Sequence, residues 1–218
     1  MDMLLTRRAF SALFVSGLIV FSATCAMAKD FGKEAEGFIQ TMADKAVTSV
    51  RTSQDEAVLQ QEFRIILNDG FDVRAIGKWV LGRYWRKAKP EEKEEYLKLF
   101  EDFIIATYSS RFKDYAGEDI TLKVVQSVTR NDKDAIVRSE IQRPQTSEPI
   151  LVDWRVKQNK DGALKVVDVL IAGVSMSQAQ RSEFASVIKR SGGEVNGLID
   201  ALRNKTSQLV STVARDTQ

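Results

Sequence analysis

The chain has 218 residues, and its 32 basic and 30 acidic side chains leave a formal net charge of only +2. This balance argues against nucleic acid as the main partner, because proteins that bind phosphate backbones are usually strongly basic. The sequence has no histidine and one cysteine, which excludes Ser-His-Asp catalysis, Cys-His catalysis and histidine-bearing zinc sites. Two-carboxylate hydrolysis and Ser-Lys chemistry stay open. No metal or cofactor site is predicted.

The first 28 residues have the three regions of a cleavable signal peptide. Arg7 and Arg8 precede an uncharged apolar stretch at residues 9–23, and Ala26-Met27-Ala28 is an A-x-A cleavage site. The apolar stretch is too short for a membrane span of about 20 residues, although a short anchor helix is the alternative. We therefore expect a periplasmic protein, exported by the Sec or the twin-arginine route, with residues 29–218 forming one domain.

The predicted helices come in chain order before and after a group of strands. An apolar stripe at helical spacing runs through residues 31–50, and Ser53 begins a capping box for a second helix that ends at Gly70. A short third helix covers residues 71–81 and stops at Gly82. The fourth begins at Pro90 and has a long continuous apolar stripe, consisting of Tyr96, Leu99, Phe100, Phe103, Ile104, Thr107, Tyr108 and Phe112.

Four strands are predicted next, at residues 120–128, 135–141, 150–156 and 164–171. They are rich in β-branched residues or alternate between apolar and polar positions, and short turns separate them. We expect Gly173 to end the sheet. Ser177 and Gln180 cap a fifth helix, and a last helix runs to about Val213. The predicted fold is therefore α+β, with a four-stranded antiparallel sheet wrapped by about six helices.

Two features of the sequence could indicate an enzyme. The segment 173–177 (GVSMS) is similar to a nucleophile elbow, but it lacks the final glycine, and the chain has no histidine to activate Ser175. A strand end followed by a helix cap is the favoured interpretation. Asp168 lies within an apolar strand, where an acid is more often paired or capping than catalytic. A carboxylate-dependent enzyme therefore stays open as an alternative.

The segment at residues 76–89 is unusual for a nearly neutral chain, because aromatic and basic side chains alternate in it. Aromatics that pack in the core beside solvated cations would explain this pattern. An edge that meets lipid headgroups would also explain it, since aromatics favour the membrane interface and cations attract phosphate. The side chains concerned are Trp79, Tyr84 and Trp85 with Lys78, Arg83, Arg86, Lys87 and Lys89.

The sequence resembles the MlaC family of periplasmic lipid-binding proteins, also called toluene-tolerance auxiliary transport proteins, over roughly residues 31–209. The resemblance rests on the order and spacing of several pieces across the mature chain. These are residues 81–88 (LGRYWRKA), the aromatic helix from Pro90, residues 166–169 (VVDV), residues 172–176 (AGVSM), and Gly192-Gly193 before the last helix.

The resemblance implies a lipid carrier that is not an enzyme. Members of the family carry phospholipid between an outer-membrane lipoprotein complex and an inner-membrane ABC transporter bearing an MCE-domain protein. One branch is associated with hopanoid-type lipids, which this chain could share. The implied fold holds acyl chains in an apolar cavity between the helices and the sheet.

On this basis we predict a lipid-binding pocket and a basic mouth. A ligand-free interaction module is a further alternative, and it would have a filled core instead of an apolar cavity. Arg83, Arg86 and Lys87 are the predicted headgroup or mouth residues. The predicted pocket residues are Phe63, Leu67, Trp79, Phe100, Phe103, Ile104, Val137, Val152, Trp154 and Val169.

Overall fold

The computed structural model describes residues 30–53, 55–114 and 118–216; the predicted leader at residues 1–28 lies outside this part. Six α-helices and five β-strands form the α+β fold of the described chain. The helices are α1 (Phe31–Thr52), α2 (Glu56–Gly70), α3 (Val73–Leu81), α4 (Pro90–Asp114), α5 (Met176–Arg190) and α6 (Val195–Asp216). A 3-10 helix at Gly82–Arg86 joins α3 to α4. The strands are β1 (Thr121–Asn131), β2 (Asp134–Gln142), β3 (Ile150–Gln158), β4 (Leu164–Ile171) and β5 (Val174–Ser175).

Short polar side chains set the helix starts. Asp55 caps α2 by accepting hydrogen bonds from the amides of Ala57 and Val58. The prediction that Ser53 is the N-cap is therefore wrong. Ser53 instead follows the last turn of α1, where its amide donates to the Ser49 carbonyl. The cap of α5 is Ser175, which accepts from the Gln178 amide, and not the expected Ser177.

The sheet has five strands in the order β1-β2-β3-β4-β5, all antiparallel, whereas four strands were predicted. The chain does not leave the sheet at Gly173. Ala172 and Gly173 both have positive φ, 49° and 81°, and they turn the chain back so that Val174 pairs with Ile171. A strand of two residues is too short to show an alternating pattern, which is why the sequence did not reveal β5.

The two faces of the sheet differ in chemistry. One face carries cross-strand ion pairs, because Arg138 binds Asp153 through two hydrogen bonds of 2.7 and 2.9 Å, and Arg155 binds Asp134 at 3.2 and 2.8 Å. The opposite face is apolar, with the side chains of Ala135, Val137, Val152 and Val156 buried. The helices therefore cover this apolar face.

The core has two parts. The helical core joins α3, the 3-10 helix, α4, α5 and α6 around Tyr96, Phe100 and Phe184. The sheet core packs α1 against the sheet through Phe31, Ala35, Ile39, Ala135, Val137, Val156 and Val166. Within the described residues, none of the helices is both long enough and apolar enough to cross a membrane.

The junction between α2 and α3 is fixed to β4, which sets the helices above the sheet. The Lys165 ammonium donates to the carbonyls of Asn68 and Asp69 at 2.9 and 2.7 Å, at the C-terminal end of α2. The Asp72 amide donates to the Val166 carbonyl at 3.0 Å. Because α3 starts at this anchor, it forms a side wall of the space between the sheet and α2.

Candidate functional site

Two apolar hollows lie between the sheet and the helices. The first, here called the α1 cavity, has a volume of about 290 Å³. It is walled by the C-terminal half of α1, by α2 and by the first three strands. Small side chains on α1, namely Ala43 and Ala46, leave this space open. The larger side chains around it are Ile39, Met42, Val47, Val50, Ile66, Ile120, Leu122, Ile141 and Ile150.

The second hollow, here called the α3 cavity, has a volume of about 360 Å³. It lies between α2, α3, α4, the N-terminal end of α5 and strands β3 and β4. Its lining is almost wholly apolar, with Asp168, Ser177 and Gln180 as polar exceptions. The apolar residues that line the α3 cavity and not the α1 cavity are Leu67, Val73, Ile76, Val80, Phe100, Ile104, Tyr108, Val169, Ile171 and Met176.

The two cavities share three walls. Phe63, Phe71 and Trp154 line both, so their rings stand where the cavities meet. The Trp154 indole N–H donates to the buried Ser139 hydroxyl at 2.9 Å, and this bond fixes the plane of the ring. Together the volumes fall within the range of roughly 300–1,000 Å³ that is usual for ligand sites.

A half-buried ion pair borders the α1 cavity. Arg143 donates two hydrogen bonds to Glu118, at 3.2 and 3.0 Å, and both residues are part of the cavity lining. The Arg143 side chain is 27% exposed, so its guanidinium reaches both the cavity and solvent. Among the described residues that line the two cavities, Arg143 is the one that carries a positive charge. This arrangement places a planar donor group, suited to a phosphate, beside an apolar hollow.

Asp168 is fully engaged in local structure. Its carboxylate accepts hydrogen bonds from the hydroxyls of Ser175 and Ser177 at 2.6 and 2.7 Å, and from the amides of Ser177 and Val169 at 3.2 and 2.9 Å. These bonds fix the turn between β4 and β5 and the first turn of α5. The carboxylate acts here as a structural acceptor, which is the interpretation that its sequence position favoured.

Six of the ten predicted pocket residues line the cavities: Phe63, Leu67, Phe100, Ile104, Trp154 and Val169. The others lie elsewhere. Phe103 packs against Phe184 with ring centroids 5.9 Å apart. Val137 and Val152 are buried in the sheet below the cavities. Trp79 points away from both hollows and is 44% exposed.

The predicted mouth residues lie on the outer side of α3. Arg83 and Arg86 line a surface groove with Trp79, and Lys87 is exposed just beyond the 3-10 helix. None of these three cations lines either cavity. The spacing of α3 explains the difference, because Ile76 and Val80 face the α3 cavity whereas Lys78 and Trp79 fall on the opposite side of the helix.

Sequence reasoning missed the residues of α1. Its apolar stripe was recognised as a packing face, and nothing in that pattern distinguished a filled contact from a hollow one. The available signal was side-chain size, because Ala43 and Ala46 are small where a filled helix–sheet contact would need larger residues. Phe71 was missed because the sequence placed it at the start of the third helix, whereas it lies at the bend before α3 and faces both cavities.

Fold and site together define an α+β protein with apolar hollows between its helices and its sheet, the type of site that takes an apolar ligand. The family model for the MlaC protein matches residues 40–204, and the chain belongs to this family.

The known proteins that are similar to this chain include the following two. One is the protein from Haemophilus influenzae named intermembrane phospholipid transport system binding protein MlaC. It is 27% identical over 177 residues, which is 78% of this chain and 81% of that protein. The other is a solved structure of the phospholipid-binding protein from Ralstonia solanacearum in complex with a phospholipid. It has a TM-score of 0.71 and 24% identity, and the match covers 81% of this chain and 98% of that one. The structural similarity shows the same fold.

Proposed function

We propose that this protein is a periplasmic phospholipid carrier that holds acyl chains in the α1 and α3 cavities. The single observation that carries the proposal is the pair of apolar hollows meeting at Phe63, Phe71 and Trp154. A diacyl lipid has two chains that diverge from one glycerol, so two hollows joined at one point match its shape. The names of the two similar proteins, which refer to phospholipid, support the same ligand.

The energetics suit a carrier better than a permanent binder. Burying one methylene is worth ~0.8 kcal/mol, so an acyl chain of about fourteen methylenes gains roughly 11 kcal/mol over water. A bilayer offers the lipid the same shelter, and exchange between protein and membrane is therefore near balance. Direction must come from partners that bind the loaded and empty forms differently. We propose an inner-membrane ABC transporter with an MCE-domain protein and an outer-membrane lipoprotein complex as these partners.

Phospholipid extraction from vesicles tests the cavities. Ala46→Trp should block the α1 cavity and reduce the extracted phospholipid by at least about tenfold, because the indole occupies the space of an acyl chain. Val169→Trp should do the same in the α3 cavity. The matched control is Ala57→Trp, which adds the same ring at an exposed position of α2. Extraction that survives both cavity variants would rule the proposal out.

Arg143 provides a test of the headgroup. If its guanidinium meets the phosphate at the rim of the α1 cavity, Arg143→Gln should weaken phospholipid binding by about tenfold, the usual worth of a hydrogen bond to a charged group. Binding of diacylglycerol, which has the same chains and no phosphate, should be unchanged. Glu118→Gln controls for the loss of the ion pair itself. Equal losses for both lipids would assign Arg143 a purely structural role.

Competition between phospholipid and a hopanoid-type lipid addresses the hopanoid alternative. A hopanoid-type lipid has a rigid fused-ring body instead of two flexible chains, and two hollows that meet at Phe63, Phe71 and Trp154 suit the flexible chains better. We therefore expect phospholipid to be bound in preference to a hopanoid when both are offered in the same vesicles. Mass spectrometry of the extracted lipid measures the preference, and selective recovery of the hopanoid would reverse this assignment.

A further inference from the structure

A basic and aromatic groove lies on the outer side of α3, separate from both cavities. We propose that this groove is a docking surface for an anionic lipid bilayer. Its lining combines four cations with two tryptophans, and none of the described residues lining it is acidic. The lining residues are Ala75, Lys78, Trp79, Gly82, Arg83, Trp85, Arg86 and Arg181.

Two of the four groove cations, Arg181 and Lys78, lie beside the indole rings, and Lys93 at the border of the groove joins them. The Arg181 guanidinium lies 4.8 Å from the centre of the Trp79 ring and donates to the Trp79 carbonyl at 3.3 Å. The ammonium groups of Lys78 and Lys93 lie 5.7 and 5.6 Å from the centre of the Trp85 ring. Flat aromatic faces flanked by cations are the combination found at membrane interfaces, where the rings sit at headgroup level and the cations meet phosphate.

Two of the carboxylates at the start of α4 are paired with arginines outside the groove. Glu92 accepts from the Lys89 amide at 2.7 Å at the start of α4. Glu94 is paired with Arg74, and Glu95 is paired with Arg203. Because the whole chain carries a net charge of only +2, this groove is a local concentration of positive charge. Its charge is complementary to an anionic surface.

A bilayer fits the groove better than an acidic protein does. Trp79 is 44% exposed even with Arg181 against its ring, and a bilayer interface would shelter the exposed part. The groove also shares α3 with the α3 cavity, since Ile76 and Val80 face the cavity and Lys78 and Trp79 face the groove. Docking here would bring one wall of the α3 cavity next to the membrane. The groove is distinct from the cavities, so this inference goes beyond the proposed carrier function.

The test is co-sedimentation of the purified exported protein with vesicles of phosphatidylcholine alone or with added phosphatidylglycerol. We expect binding only to the anionic vesicles, and weaker binding at higher salt. The double variant Lys78→Glu with Arg86→Glu should reduce it by at least roughly 25-fold, since each cation near an anionic surface contributes about fivefold. The matched control, Lys160→Glu with Lys205→Glu, reverses two exposed charges outside the groove and should change binding much less.

Several outcomes would overturn the inference. These are no binding to anionic vesicles, binding that is independent of salt, or equal losses in the double variant and its control. In the first case an acidic protein surface becomes the expected partner. Circular dichroism establishes that the variants fold, and Trp79→Ser gives a second test that leaves every charge in place and should also weaken binding. Phospholipid extraction from vesicles of phosphatidylcholine alone, to which the groove should not bind, is measured in parallel. It should survive in the groove variants, and it would fail alone if only the carrier function were wrong.

Discussion

The helical core and the cavities are built from the same kinds of residue and have opposite packing. In the helical core, Phe184 meets Tyr96 and Phe100 edge to face with ring centroids 6.3 and 6.2 Å apart. In the cavities, Phe63 and Trp154 stand beside open space. Filled contacts stabilise the fold, whereas unfilled ones leave room for a ligand. The protein therefore separates stability and binding between neighbouring regions, and α3 and α4 belong to both.

The largest expected effect on stability is in the helical core. Phe184→Ala should lower the free energy of unfolding by about 3–5 kcal/mol, because the ring is surrounded on all sides and the neighbours cannot collapse into its space. Urea denaturation followed by circular dichroism measures the loss. Phospholipid binding under native conditions should persist in the fraction that stays folded, since Phe184 lines neither cavity. A loss below about 1 kcal/mol would mean that this region is not tightly packed.

A smaller effect is expected on the ion-paired face of the sheet. Burial raises the pKa of Asp134, but the hydrogen bond and charge of Arg155, together with Lys157 and Arg130, outweigh burial and hold it below its ordinary value of 3.8. A lowered folded-state pKa gives stability that is present above pH 3.8 and is lost as the pH falls through the folded value. Asp134→Asn should therefore cost about 1–3 kcal/mol at neutral pH, because it leaves Arg155 without its charged partner.

The acid range provides the control for this prediction. The difference in unfolding free energy between the native protein and Asp134→Asn should shrink below pH 3.8, as the carboxyl takes up a proton first in the unfolded chain and then, at lower pH, in the folded one. Phospholipid binding at neutral pH should be unchanged, because this ion pair lies on the sheet face opposite the cavities. A difference that stays constant with pH would show that Asp134 acts through packing alone.

The smallest effect on stability is expected at the wall that the cavities share. Phe63→Ala should cost about 1–2 kcal/mol, because a ring that already borders empty space has fewer contacts to lose than a core ring. The effect of this substitution on phospholipid extraction should be larger than its effect on stability, since it removes a wall that the two cavities share. Thermal unfolding and vesicle extraction on the same samples measure both. A stability loss equal to that of Phe184→Ala would remove the distinction between the two regions.

The sequence predicted much of the fold because its signals are local. The stripe of α4 and the apolar–polar alternation of β3 follow directly from the 3.6-residue and two-residue periods. The N-caps of α2 and α5 show the limit of such signals. The observed caps, Asp55 and Ser175, each lie two residues from the position that the sequence favoured. Several neighbouring polar residues could each cap a helix, and only the path of the backbone decides among them.

The site was predicted less completely because a cavity is a property of packing. Phe100, Phe103 and Ile104 belong to one stripe of α4, yet Phe103 packs against Phe184 while Phe100 and Ile104 line the α3 cavity. No periodic pattern separates these positions, since the difference depends on which element faces each one. Trp79 could have been placed correctly, because Val73, Ile76 and Val80 already define the inner face of α3.

Native mass spectrometry of the protein purified from its own periplasm tests the central proposal most directly. We expect a bound mass equal to one diacyl phospholipid per chain, absent from the Ala46→Trp variant and retained in Ala57→Trp. The same measurement after removal and re-addition of lipid should show the mass return. A protein that is lipid-free as purified, and that takes up no phospholipid from vesicles, would contradict the proposal that its two cavities hold acyl chains.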